Sequence, residues 1–142
     1  FLFSLLCPLK SFAATFSGVY VFGDSLSDPE NTRNQTALLN SQIPIIPIIP
    51  PSPLYSNGRF SNGPNWVDYL TDKLELKPTP FTQVLGGISP TKGINFAFGG
   101  ATTTIDNTIL PAPLLPGLRQ QIGSFTSRIP PNTTADANAL YI

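Results

Sequence analysis

An α/β fold, a parallel sheet with helices on both faces, is what this sequence predicts, and three observations carry the prediction. Apolar runs short enough to be buried strands recur at 18–23, 94–98 and 139–142. Stretches with apolar residues at helical spacing stand between them, over 62–76 and 117–129. The first two runs also stop abruptly at glycine. Strand and helix periods that alternate along a chain point to parallel pairing, because a parallel crossover is long enough to hold a helix. The 142 residues suit one small domain, or most of one, with enough apolar side chains for a core.

The elements follow in order. Phe1 to Leu9 is strongly apolar, and Lys10-Ser11-Phe12-Ala13-Ala14 then sets small residues at signal-peptidase spacing. We read residues 1–14 as a secretory signal peptide truncated at its start, the alternative being a buried first strand or helix. The run is too short for a membrane span, and the product is expected to be secreted, extracellular or periplasmic. Residues 18–23 form a buried strand that ends at Gly23. Residues 29–63 are expected to be mostly irregular. Within them the tract from Ile43 to Pro53 carries too many prolines for a helix or central strand and favours an extended path. Its isoleucines either cover an apolar cleft or partner surface, or the tract is a loop expansion lying on the body.

A helix follows, with Asn62 as N-cap, Pro64 in its first turn and an apolar stripe of Trp66, Val67, Tyr69, Leu70 and Leu74. Asp68, Asp72, Lys73 and Glu75 fall on its solvated face, and Leu76-Lys77-Pro78 ends it. Ile94-Asn95-Phe96-Ala97-Phe98 is a second strand, stopped by Gly99-Gly100. Leu118, Ile122, Phe125 and Ile129 mark a second helix over 117–129, ended by Pro130-Pro131. Ala139 to Ile142 begins a further strand.

Composition narrows the function. Lysine plus arginine balances aspartate plus glutamate for a net charge of 0. Nucleic acid or an anionic membrane surface, which need a basic face, are therefore not expected as partners. A lone Cys7 excludes an internal disulfide, and with no histidine a zinc site is not expected.

The chemistry centres on Gly23-Asp24-Ser25. A strand that stops at a glycine presents Ser25 where a helix could begin, beside free backbone N–H groups. A serine hydroxyl needs a base to take its proton, and its attack on a carbonyl creates an oxyanion that needs donors. The Ser25 amide is one such donor. The Gly99-Gly100 end of the neighbouring strand offers another, since carboxyl ends of parallel strands share one edge. Taken singly, these are also ordinary turns, with Asp24 bonding nearby amides. Arg59 is either a substrate anchor or half of an ion pair, and Asp28 is either a hydrogen-bonding brace or plain loop polarity.

Three blocks occur in order: Phe22-Gly23-Asp24-Ser25-Leu26-Ser27-Asp28, Gly58-Arg59-Phe60-Ser61-Asn62-Gly63-Pro64-Asn65-Trp66, and Gly93-Ile94-Asn95-Phe96-Ala97-Phe98-Gly99-Gly100-Ala101. Together they closely resemble the GDSL (SGNH) family of lipases and esterases, in its secreted plant and bacterial branch, over residues 18–142. The resemblance implies a three-layer α/β/α, flavodoxin-like sandwich, of which residues 15–142 are the N-terminal portion. It implies a serine hydrolase of carboxylic esters with Ser25 as catalytic nucleophile and Ser25 and Gly100 as oxyanion-hole donors, Gly99 being the neighbouring alternative. The substrate would be a small-molecule, lipid or polysaccharide ester, and no metal or organic cofactor is implied. The family's Asn donor and its Asp and His lie further along than Ile142, so the chain is expected to be an N-terminal fragment. A non-catalytic extracellular binding module, or a partial gene product, is the alternative. Glu30 stands where the family has glycine; a left-handed backbone there would cost on the order of 1 kcal/mol or more.

Overall fold

The computed structural model describes residues 15–142, so the proposed signal segment lies outside the described residues. Four short parallel strands carry the fold: β1 (Val19–Tyr20), β2 (Thr79–Pro80), β3 (Ile94–Asn95) and β4 (Leu140–Tyr141). β1 pairs with β4 and β2 with β3, each in parallel. A parallel bridge between Val21 and Asn95 joins the two pairs, giving the order β2-β3-β1-β4. Hydrogen bonds continue beyond the formal strands, from Val21 N–H to Ile94 O (3.1 Å), Phe96 N–H to Val21 O (2.8 Å) and Phe98 N–H to Gly23 O (3.1 Å). The first strand is thus central, with later strands on both sides, and its carboxyl end opens at the reversal of strand order, where doubly wound sheets place their ligands.

Side chains alternate across this sheet as the strand period requires. Val19 and Val21 face one side with Val67 and Leu76, beneath α2 (Trp66–Lys73). Tyr20 and Phe22 face the other with Ile94, Phe96 and Phe98, beneath α3 (Phe81–Leu85) and α4 (Leu118–Thr126). That second core is aromatic. Phe22 stacks on Phe96 at 5.4 Å between centroids, and Phe125 of α4 meets Phe22 edge-on at 5.7 Å. Such pairs add about 0.5–1.5 kcal/mol each beyond the area they bury. The α/β architecture with helices on both faces is as expected.

Four features depart from expectation, the first being β2 and α3 over 79–85, where no element was expected. A twelve-residue helix, α1 (Asn31–Gln42), occupies a segment expected to be irregular. Its buried residues are Asn31, Thr32 and Thr36, and Leu38 is exposed, so it carries no apolar stripe to read. The N-cap of α2 is Asn65 rather than Asn62. The Asn65 side chain accepts from the Val67 and Asp68 amides while Asp68 reaches back to the Asn65 amide, a reciprocal box that leaves Pro64 outside the helix. The stripe of α2 is also narrower than expected, because Trp66 and Tyr69 are exposed and Val67 and Thr71 are the buried positions. The Ile/Pro tract bends back onto α1: Ile49 N–H donates to Thr36 Oγ1 (3.0 Å) and the Arg33 guanidinium to Pro50 O (2.8 Å). It lies on the body, with Ile45 exposed.

The close approach of β1 to the start of β3 rests on one glycine. Gly93 has φ +99°, and a Cβ there would sit 1.9 Å from Val19 O, inside any allowed contact. Gly93→Ala is expected to destabilise the protein by roughly 3 kcal/mol or more, since strain adds to a backbone clash that no rotamer relieves. Urea denaturation reads the change, and a midpoint equal to wild type would show that the two strands can part at no cost.

Candidate active site

Ser25 stands two residues past Gly23, half-buried, in a tight turn at the carboxyl end of β1. Asp24 shapes the turn. Its carbonyl accepts from the Ser27 amide (3.1 Å) and the Asp28 amide (3.0 Å), and its carboxylate accepts from the Leu26 amide (2.9 Å). No helix begins at Ser25, contrary to expectation. Asp28 precedes Pro29, whose ring disfavours a helical residue before it, and α1 begins only at Asn31.

Asp28 is the brace, not loop polarity. It is fully buried, and one carboxylate oxygen accepts from the amides of Glu30 (3.0 Å) and Asn31 (2.7 Å). The other accepts from the amides of Thr32 (3.2 Å) and Gly99 (2.8 Å). The first three donors cap α1; the fourth belongs to the end of β3. Burial pushes the Asp28 carboxyl above its ordinary range, and the bonds from Thr32, Gly99 and Asn31 pull the other way. Glu30 has φ 171°, outside the left-handed region, so the left-handed backbone considered there is not adopted.

Asparagines complete the junction. Asn31 Nδ2 donates to the carbonyls of Asn95 (2.8 Å) and Ala97 (2.9 Å), taking the place of a strand where β2 has ended. Asn95 Nδ2 donates to Ser27 O (2.9 Å), tying β3 to the turn of Ser25. The Trp66 indole N–H reaches Ser27 Oγ at 3.2 Å.

Gly99 and Gly100 follow Phe98 at the same sheet edge. The Gly99 amide is already engaged, by Asp28 and by Thr32 Oγ1 at 2.7 Å. The amides of Ser25 and Gly100 donate to no acceptor among the described residues. Gly100 has φ +76°, and an added Cβ would meet Asn107 Oδ1 at 2.7 Å, so only glycine fits. A cleft of about 360 Å³ opens beside the Ser25 turn, walled by Leu26, Ser27, Trp66, Thr102, Thr103 and Leu118.

Residues 19–142, containing both glycine-ended strands and the junction between them, match the family model described as GDSL-like Lipase/Acylhydrolase. The chain belongs to this family. Relatives with curated descriptions include acetylajmalan esterase 1 of Rauvolfia serpentina, 30% identical across 99% of this chain and 40% of its own length. A GDSL esterase/lipase of Arabidopsis thaliana is 34% identical over 62% of this chain and 26% of its own. Phosphatidylcholine-sterol acyltransferase of Aeromonas hydrophila is 43% identical over 41% of this chain and 15% of its own. The chain therefore spans less than half the length of each of these relatives.

Within this GDSL domain the three sequence blocks converge. The Phe60 ring packs so tightly over Gly99 that a Cβ there would lie 2.3 Å from it. Arg59 is half of an ion pair: its guanidinium binds both oxygens of Asp68 at 2.6 Å each. Asp68 is thus no solvated-face residue but the second half of the α2 capping box. The Asn65-x-x-Asp68 spacing carried that signal, and a proline-based start at Asn62 obscured it. Asn31, Thr32 and Gln121 were missed altogether, because buried polar residues leave no mark on a hydrophobic pattern.

The ion pair is testable by pH. Burial by itself would raise the Asp68 carboxyl, but the bonds from Arg59 and the Asn65 amide outweigh it and hold the pKa below 3.8. A folded-state value below the unfolded one means that the stabilisation is complete above the unfolded value and is lost as pH falls through the folded one. Asp68→Asn is expected to lower stability at about pH 7, with the gap from wild type closing as pH falls below the ordinary carboxylate range. Urea midpoints across that range check it; a gap independent of pH would remove the carboxylate as its cause.

Proposed function

We propose that the full-length protein is a serine hydrolase of carboxylic esters with Ser25 as its nucleophile. One observation carries the reading most. Ser25 and Gly100 lie just past the last ladder bonds of two adjacent parallel strands, and their amides are engaged by no acceptor among the described residues, whereas the Gly99 amide is fully occupied. Of the two glycines, only Gly100 then has a donor to offer an oxyanion. The relatives described as esterases favour the same chemistry.

In this mechanism Ser25 Oγ attacks the ester carbonyl, and its proton passes to a general base. The carbonyl oxygen becomes an oxyanion held by the Ser25 and Gly100 N–H groups. The tetrahedral intermediate collapses to an acyl-enzyme, and the leaving alkoxide takes the proton. Water, deprotonated by the same base, then releases the acid and restores Ser25. One oxyanion donor is worth about 3 kcal/mol of transition-state stabilisation. The chain has no histidine, and the base is proposed to come from elsewhere in the full-length protein. The cleft bounded by Leu26, Trp66 and Leu118 suits an apolar portion of the ester. Export is proposed on the apolar run at 1–9 and the Ser11-Phe12-Ala13 spacing. Among the described residues no helix is long and apolar enough to cross a membrane.

Ser25→Ala in the full-length protein is expected to cut p-nitrophenyl acetate turnover by ~10³-fold or more while leaving the thermal midpoint unchanged. The Ser25 side chain makes no hydrogen bond among the described residues, so the fold does not depend on it. Near wild-type turnover in this variant would remove Ser25 from the nucleophile role, whereas a wild-type protein with no turnover to lose would favour the non-catalytic module.

A further inference from the structure

We propose that Gln121 is a positioning residue for the nucleophile, and that it acts by locking both peptide planes around Gly23. The proposal rests on the reading of Ser25 as nucleophile. Gln121 projects from α4, is 1% exposed, and meets the chain 98 residues before it. Its Oε1 accepts from Gly23 N–H at 2.9 Å, and its Nε2 donates to Gly23 O at 2.9 Å.

Those two bonds fall at the point where control of the backbone matters most. The Gly23 N–H belongs to the peptide plane before the residue and its C=O to the plane after it. The two soft dihedrals of Gly23 lie between these planes, and glycine is the most permissive residue of all. Gly23 has φ +149°, outside strand geometry, and it is where the chain leaves the sheet for the Ser25 turn. The β1 amides of Val19 and Val21 donate to Lys92 O and Ile94 O. By the same two-residue step the Gly23 amide would next meet Phe96 O, but it donates to Gln121 instead. The Gly23 carbonyl also accepts from Phe98 N–H (3.1 Å), so the glutamine amide supplies the missing strand partner on the N–H side and a second bond on the carbonyl side of the hinge before the nucleophile. Only a group with a donor and an acceptor in one plane can satisfy both sides at once.

The consequence is geometric. Ser25 carries the attacking oxygen and one proposed oxyanion donor, and Gly100 on the neighbouring strand carries the other. A loose Gly23 would let the two drift apart, and a displacement of about 1 Å at reacting atoms costs on the order of 10²-fold in rate. The fold itself leans on Gln121 much less. Phe125 holds α4 to the aromatic core through Tyr20, Phe22, Phe96 and Tyr141.

Two variants of the full-length protein test the inference. Gln121→Met keeps the length and removes both bonds. Its kcat for p-nitrophenyl acetate is expected to fall ~10- to 100-fold with KM within about twofold of wild type. Gln121→Glu is isosteric. When protonated, its carboxyl accepts from Gly23 N–H and donates to Gly23 O, as the amide does; when ionised, it sets a negative charge against that carbonyl. The ratio of its kcat to that of wild type at the same pH is expected to approach unity near about pH 5 and to fall towards the Met level by about pH 8, because burial raises the carboxyl from its ordinary ~4.3. Circular dichroism verifies folding at each pH, and a Glu variant that unfolds at high pH leaves the Met variant to decide. A folded Met variant with wild-type kcat, a change confined to KM, a flat ratio for a folded Glu variant, or loss of fold in both variants would each overturn the proposal. Ser25→Ala in the same assay separates the two readings. If it is inactive, failure at Gln121 leaves the nucleophile standing; if it is active, both fall.

Discussion

A carboxylate with no access to solvent sits where β1, α1 and β3 meet, and the geometry of that edge depends on it. Removing the Asp28 charge from water carries a large penalty, which only a full set of hydrogen-bond donors can offset. Here the donors are backbone amides from Glu30, Asn31, Thr32 and Gly99. Three of them are the amides that a helix start leaves without intrahelical partners. The fourth is the amide directly before Gly100. Satisfying one buried charge therefore fixes where α1 begins, how the Ser25 turn closes and how far the end of β3 can move.

Around this charge the protein uses side-chain amides in place of strands. Its ladders are short, and beyond them the diverging backbones still carry N–H and C=O groups that must be paired if buried. Asn31 serves the carbonyls of Asn95 and Ala97, Asn95 serves the carbonyl of Ser27, and Gln121 serves both polar groups of Gly23. No buried side-chain nitrogen or oxygen is left without a partner among the described residues. A satisfied network of this kind is stiffer than an apolar contact, since each bond has a direction as well as a distance. The apolar cores lie below, under the middle of the sheet, and supply cohesion; the polar edge supplies geometry. Such an edge is suited to hold two backbone donors and a hydroxyl in fixed relation, as the proposed chemistry requires.

The Arg59–Asp68 pair extends the same logic to the second sequence block. Asp68 caps α2 and binds Arg59 in two places, and the neighbouring Phe60 lies over Gly99. Asp28, Thr32 and Phe60, distant in sequence, thereby meet at Gly99.

What the sequence determined by itself was whatever repeats with a period or stops at a special residue. The strand ending at Gly23, the strand ending at Gly99-Gly100, the helix carrying Leu118 and Phe125, and the last strand at Leu140-Tyr141 were all legible, because burial of one face imposes spacing that can be counted. Ser25 and Gly100 could be named as candidates because glycine punctuates the strands just before them. Only the tertiary structure decided which amides are free and which are engaged. That the Gly99 amide is engaged turns on an acceptor supplied by Asp28, 71 residues away. The existence of α1 turns on a face of Asn31, Thr32 and Thr36 that is buried by hydrogen bonding and so shows no hydrophobic period. The hold on Gly23 turns on a glutamine from a helix whose sequence pattern advertised Leu118, Ile122, Phe125 and Ile129, of which Ile122 is exposed. Hydrophobic burial is nearly additive along a chain and can be read residue by residue; hydrogen-bond satisfaction belongs to pairs, and pairs exist only once the chain has folded.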